Sequence, residues 1–543
     1  MYRAKRFEGK DLSKEMSSYI RPVKSSIKFM KNYNNRSVTT NGAVGYKTTT
    51  RPLLDLNFKV SSLRDLSEEN IVKEFIKAYY DEPKYAVKWL FFLRDILQGM
   101  GERRTFRVCM KYLAQSHPDV AKAVIKLIPK YGRCDDLLVL LDTPLVDDIC
   151  KLIKEQLDHD LQGMAKGRQI SLLGKWLPSI NTSSVEARRY GRIIAKKLKL
   201  SERNYRKTLS ALRKYIDVLE IKVSSNKWDQ VEYEHVPAKA NLKYEAAFEK
   251  HDKERRVNYL FKVATGEAKL NGNGIMPYEI VHRFMANNWF SRTLKEDLLG
   301  ELMWKHILQE GFDNDWGFED CIVVADGSGS MYNKASGSTT VSAIEICHSL
   351  AIYFAQQLKG VFHNKAISFS VNPQFIDLEQ GKTLKDKLEI MNAYDEVANT
   401  NIEAVFDMLL DMAVSNEVDP SELPKQVLII SDMEFDMATT GTWHTTTLNK
   451  EKVAQTLFGV IEEKFEAAGY KLPRLIFWNV CGRTNTIPKL DNDEGICLLS
   501  GFSQNAMKIA TNREIKDPYQ SLLAVLDGPR YAPVEDAILG LAG

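Results

Sequence analysis

At 543 residues the chain is longer than one hydrophobic core can serve, and it should divide into two or three domains. A hydrophobic fraction of 44% and a charged fraction of 27% are those of a globular protein, and no apolar run approaches the ~20 residues of a membrane-spanning helix. The net charge of +4 conceals a division: through Phe318 there are 57 Lys and Arg against 40 Asp and Glu, and beyond it 18 against 31, so only the first part suits a polyanionic partner.

The opening MYRAKRFEGK lacks the apolar stretch of a signal peptide, which gives the expectation of a cytoplasmic protein without membrane contact. Cys109, Cys134, Cys150, Cys321, Cys347, Cys481 and Cys497 are far apart and include no C-x-x-C pair, so they read as reduced thiols rather than a zinc clip. The first 60 residues carry 13 basic and 4 acidic side chains, and residues 32–50 are rich in Asn, Thr and Gly; residues 1–62 therefore read as a basic N-terminal arm.

From Leu63 the apolar residues recur at helical spacing, as in Ile71, Phe75 and Tyr79, then Val87, Leu90, Phe91 and Ile96, then Val120, Val124 and Ile128. Pro118, Pro129, Gly132, Pro144 and Pro178 punctuate them at intervals that suit helical hairpins. Stacked hairpins predict an all-helical, HEAT-like solenoid over 63–316, because one amphipathic pair cannot bury its apolar face alone. After Trp316 and Gly317 the pattern changes. CIVVAD (321–326), AISFS (366–370), VLIISD (427–432), RLIFWNV (474–480) and ICLLS (496–500) read as strands, alternating with helices through Ile344 and Leu350, through Ile402 and Leu409, and near 450–468. Continuous apolar strands between helices predict a mainly parallel, Rossmann-like sheet over 317–543, which binds ligands beyond the carboxyl ends of its strands.

Asp326, Ser328 and Ser330, in DGSGS directly after the first of these strands, place a carboxylate and two hydroxyls on one tight turn. Hard divalent cations take about six oxygens and keep some as water, so such a turn supplies part of a shell. Mg2+ is the expected ion, with Mn2+ or Ca2+ as alternatives. A plainer reading makes DGSGS a polar turn that caps the following helix.

The D-x-S-x-S pattern resembles the metal-ion-dependent adhesion site of von Willebrand factor A domains. The resemblance implies that Thr400, in ANTNIEAVF, and Asp432, ending VLIISD, complete the site with Asp326, Ser328 and Ser330, and that an acidic side chain from a partner fills the open position. Asn399 stands where a glycine often precedes the threonine, and Met433 replaces the usual glycine after the aspartate. Glu434 and Asp436 are the acidic groups near Asp432 that a hydrolytic site would need, and no catalytic residue is assigned.

Arg188, Arg189, Arg192, Lys196, Lys197, Lys199, Arg203, Arg206 and Lys207, at helical spacing and followed by Arg213 and Lys214, form a candidate RNA-binding face, with a solvated helix face as the alternative. Trp176 reads as a buried helix-end anchor. A basic helical solenoid followed by such an A domain resembles the Ro autoantigen, or TROVE, architecture, in which the solenoid closes into a ring, the A domain joins its ends, and the ring binds small structured RNAs and free RNA ends. KYGRCDDLL, SLLGKWLPS, VADGSGSMY, SDMEFD and LIFWNVCGR are more similar still to a largely uncharacterised family of plants, fungi, bacteria and large viruses with the same two parts. Two functions follow as expectations: a non-enzymatic RNA-binding scaffold, or a metal-dependent adaptor that captures an acidic protein partner without RNA.

Overall fold

Strands of this chain form where β-branched and aromatic residues run together, and helices where apolar residues recur every three or four positions. The structure, a computed structural model, describes residues 35–285, 294–313, 321–337, 339–369, 372–395, 401–435, 457–482, 486–488, 495–511 and 517–541. The first part is helical and the last part is a six-stranded mixed sheet with helices.

The helices Glu68–Asp81 and Pro83–Arg94 bury Ile71, Phe75 and Tyr79 on the first and Val87, Leu90 and Phe91 on the second, as anticipated, whereas Ile96 lies beyond the second helix and is exposed. Pro83 and Pro118 open helices, where their missing N–H is no loss. Residues 128–131 are a separate short helix that stops at Gly132. All seven cysteines are free, and all but Cys134 are buried. No described helix is long and apolar enough to cross a membrane.

In the sheet, β3 (Cys321–Asp326), β4 (Lys365–Phe369), β6 (Gln426–Ser431), β7 (Arg474–Asn479) and β8 (Ile496–Ser500) are parallel, and β5 (Gln374–Asp377) runs antiparallel at the edge, giving the order β5-β4-β3-β6-β7-β8. The chain leaves β3 to one side for β4 and later returns to its other side as β6, so β3 and β6 flank the switch point. Helix Ala343–Ala355 is buried along its whole length, between the sheet and helix Pro277–Met285 of the helical part. A predominantly apolar helix whose few polar side chains find partners, as Glu345 and His348 do, is what such a doubly covered position requires.

Both ends of the helical part rest on this α/β unit. At its start, Ser61 is wedged between the carboxyl ends of β7 and β8: its hydroxyl donates to the Asn479 carbonyl at 3.0 Å and accepts from Gly501 N at 3.1 Å. At its end, helix Leu298–Asp313 uses Glu301 to accept from Leu384 N and Lys385 N at 2.8 and 2.9 Å. The C-terminal helices fold back onto the first helices, where buried Lys88 contacts Asp527 at 2.7 Å and Glu535 at 2.5 Å.

The expected arm differs from what forms. From Asn35 onward it is a two-stranded hairpin, β1 (Arg36–Val38) with β2 (Val44–Tyr46), and then the buried helix Pro52–Phe58. Tyr46 and Ile487 exchange backbone hydrogen bonds at 2.8 Å each way, which attaches the hairpin to the α/β unit. Gly45 lies on this seam, where a Cβ would come 2.6 Å from the Ile487 carbonyl oxygen. The arm expectation for residues 1–34 and the anticipated boundary at Trp316 and Gly317 lie outside the described residues.

Candidate metal centre

Asp326 is the last residue of β3, and Asp432 directly follows β6. The two strands are parallel neighbours in which Ala325 faces Ile430, so both carboxylates arrive at the same carboxyl edge. Both are fully buried. Ser328 N donates to Asp326 Oδ1 at 2.9 Å, and Ser431 Oγ donates to Asp326 Oδ2 at 2.6 Å. Glu434 N donates to Asp432 Oδ1 at 3.1 Å. The Ser328 and Ser330 hydroxyls lie 3.1 Å apart, which gathers them on one side of the loop. Gly327 is required there by close approach: a Cβ would meet Asp395 Oδ1 at 2.7 Å.

The donor set suits a cation on electrostatic grounds. Burial, and then the charge of Asp432, push the Asp326 carboxyl well above the ordinary carboxylate range. Two adjacent buried carboxylates repel each other, and a divalent ion between them removes that cost. A carboxylate offers about four lone-pair sites, so the hydrogen bonds to Asp326 leave acceptor capacity for an ion. Among the described residues no group of three or more His, Cys, Asp or Glu could hold a metal, so a centre here needs the serine hydroxyls. Thr400 lies outside the described residues; its neighbour Asn401 caps helix Ile402–Ser415 by accepting from Ala404 N at 3.1 Å.

Met433 sits at a φ of 64°. That left-handed conformation costs a residue with a side chain about 1 kcal/mol and is free for glycine, which explains why glycine is common at this position in the resembling motif. Here Ser431 Oγ accepts from Met433 N at 2.9 Å and helps to hold the turn.

Glu434, the acid a hydrolytic reading would use, is occupied by the hairpin: its Oε2 accepts from Thr40 N at 2.6 Å, and its carbonyl accepts from Asn41 Nδ2 at 2.7 Å. Asp436 lies outside the described residues. Sequence reading misses a hydrogen-bonded trio beside the DGSGS loop, built around buried His348, in which Asp395 accepts from Tyr332 OH at 2.8 Å and lies 3.2 Å from His348 Nε2. These residues are spread over 64 positions and form no motif, so local pattern could not join them.

The nine basic residues divide. On helix Val185–Lys197, Arg189 makes two hydrogen bonds with Asp142 at 2.5 and 2.6 Å, Arg192 pairs with Glu202 at 3.1 Å, and Lys197 pairs with Asp147 at 2.5 Å. Arg188 Nη1 reaches the Thr182 carbonyl at 3.4 Å. Lys196, Lys199, Arg203, Arg206 and Lys207 are exposed, and none has a carboxylate partner among the described residues. Tyr190 and Tyr205, which lie among these cations in the sequence, are buried and offer no ring face on which a base could stack. Trp176 is half-buried under the Arg133 guanidinium, 3.9 Å from the ring centroid, and so remains an anchor.

Residues 39–131 and 143–313 match the family described as "Domain of unknown function (DUF2828)", and residues 320–524 match "Domain of unknown function (DUF7788)". A protein of Acanthamoeba polyphaga mimivirus, "Uncharacterized protein L728", is 28% identical over 542 residues, covering 92% of this chain and 89% of its own length. The similarity to the viral protein thus spans both the helical part and the α/β unit.

Proposed function

We propose that the C-terminal unit is a von Willebrand factor A-type recognition domain. It holds Mg2+, or in its place Mn2+ or Ca2+, through Asp326, Ser328, Ser330, Thr400 and Asp432, and uses the ion to bind an acidic side chain of a protein partner. The observation that carries this reading is the pair of fully buried carboxylates on adjacent parallel strands, with two serine hydroxyls turned together beside them. Ser330 is half-buried whereas Asp326 and Ser328 are buried, which leaves the serine side for a ligand to approach. No chemistry is required of the site, because Glu434 is tied to the hairpin. The helical part is a HEAT-like scaffold whose two ends the α/β unit joins. Partner capture from the native source in Mg2+, in EDTA, and with Asp326→Ala tests the reading. Retention that needs both the ion and Asp326 supports it, and equal retention in all three refutes it.

A second reading, RNA binding by the helical part, is favoured by the exposed cations that lack carboxylate partners. It ranks below the first because carboxylates neutralise Arg189, Arg192 and Lys197. Neutralising phosphates makes affinity fall steeply with salt, so failure to bind structured or single-stranded RNA at low salt would remove it.

A further inference from the structure

Helix Glu202–Tyr215 presents Arg203, Arg206, Lys207 and Ser210 at three-, four- and seven-residue spacing, which is one face of a helix. With Ser179, Asn181 and Arg213 they line an open cleft of about 500 Å³. Among the described residues four cations line this cleft and no carboxylate does. A neighbouring cleft behind Trp176 contrasts with it: Asp217, Glu220 and Glu232 line that one, and they pair with Lys222, Lys175 and His235. Hydroxyl and amide donors join the cations. Arg213 donates through Nη1 to Ser179 Oγ at 2.7 Å, which occupies a lone pair and leaves the serine proton to be given outward. The Asn181 and Ser210 side chains line the same space. Arg213 itself is fixed by the Gly174 and Leu177 carbonyls at 2.9 and 2.6 Å, so it acts as a rigid floor.

We infer that this cleft is a phosphate-binding site that grips an RNA strand through Arg203, Arg206, Lys207, Ser179 and Asn181; the inference rests on the RNA reading above. Charge-assisted bonds from guanidinium and hydroxyl donors, with no competing acid, are the chemistry that selects a phosphate.

The test compares the full chain with Arg203→Gln/Arg206→Gln/Lys207→Gln and with a control, Arg189→Gln/Arg192→Gln/Lys197→Gln, which removes the same charge from paired cations. Binding of a single-stranded RNA oligonucleotide is measured over a salt series, and thermal melts verify folding. The cleft variant should bind at least about tenfold more weakly. Its log-affinity against log-salt slope should be shallower by about 2, while the control changes little. Oligonucleotides with a 5′-phosphate and a 5′-hydroxyl separate the two phosphate sources: a preference for the former assigns a terminal monoester, and equal binding assigns the backbone. Wild-type binding that both triple variants weaken equally, or that the cleft variant leaves intact, overturns the cleft and spares the RNA reading. Absence of wild-type binding overturns both.

Discussion

Replacing Asp95 by Ala should release the C-terminal helices. The Asp95 carboxylate is fully buried and accepts from Arg530 Nε at 2.8 Å, Arg530 Nη2 at 3.0 Å, Tyr531 OH at 3.2 Å, Leu97 N at 3.1 Å and Gln98 N at 3.2 Å. Removing one partner of a buried ion pair costs about 3–5 kcal/mol, because the remaining charge loses its compensation. Arg530 is 24% exposed, so water recovers part of its solvation and the lower end, about 3 kcal/mol, applies. That corresponds to roughly a 100-fold rise in local opening. Hydrogen exchange read by mass spectrometry should show this loss of protection in helices Pro518–Leu526 and Ala532–Leu539, while β3 and β6 keep theirs. Lys88, bound to Asp527 and Glu535, keeps the segment from detaching fully. Exchange in these helices unchanged to within about threefold would refute the reasoning, since the expected cost is several times larger.

In metal-free buffer at alkaline pH, Asp326→Asn should raise the melting temperature, because it removes one of two repelling buried charges, and Mg2+ should no longer stabilise the variant. The same ion should stabilise the wild type by about 2.7 kcal/mol at a hundred times its Kd. A melt of Asp326→Asn that Mg2+ still raises contradicts the assignment. His282 lies 2.8 Å from Glu345, whose hydrogen bond raises its pKa. A folded pKa raised above the unfolded value near 6.5 gives stability that is complete below 6.5 and lost as pH rises through the folded value. His282→Gln should therefore flatten the pH dependence of melting across that window, and a parallel curve for the variant would count against the pair. Gly45→Ala drives a Cβ into the Ile487 carbonyl and should speed hydrogen exchange at Tyr46; unchanged exchange there would mean that the hairpin seam is looser than described.

Much of the α/β unit was legible because its strands are unbroken apolar runs: β3 and β8 coincide with CIVVAD and ICLLS. Strand β5, QFID, is not legible, since a four-residue edge strand carries little of that signal, and neither is helix Leu384–Ala393. The hairpin looks like an arm in the sequence because each of its strands has three residues and its anchor, Ile487, stands more than 400 positions away. The meeting of Asp326 and Asp432 at one sheet edge is legible because the first ends a recognisable strand and the second directly follows one. Pairing of the basic face is not, because Asp142 and Asp147 approach Arg189 and Lys197 only through folding. Local spacing finds which charges share a helix face, and only tertiary contacts decide which of them are already neutralised.

Isothermal titration of the metal-free full chain with MgCl2 and MnCl2, repeated on Ser328→Ala, Thr400→Ala and Asp432→Ala, tests divalent-ion binding most directly. One saturable site should appear in the wild type, be lost with Asp432→Ala and be weakened by each hydroxyl deletion. No saturable binding to the folded wild type, or binding that Asp432→Ala leaves unchanged, would contradict a metal centre between β3 and β6.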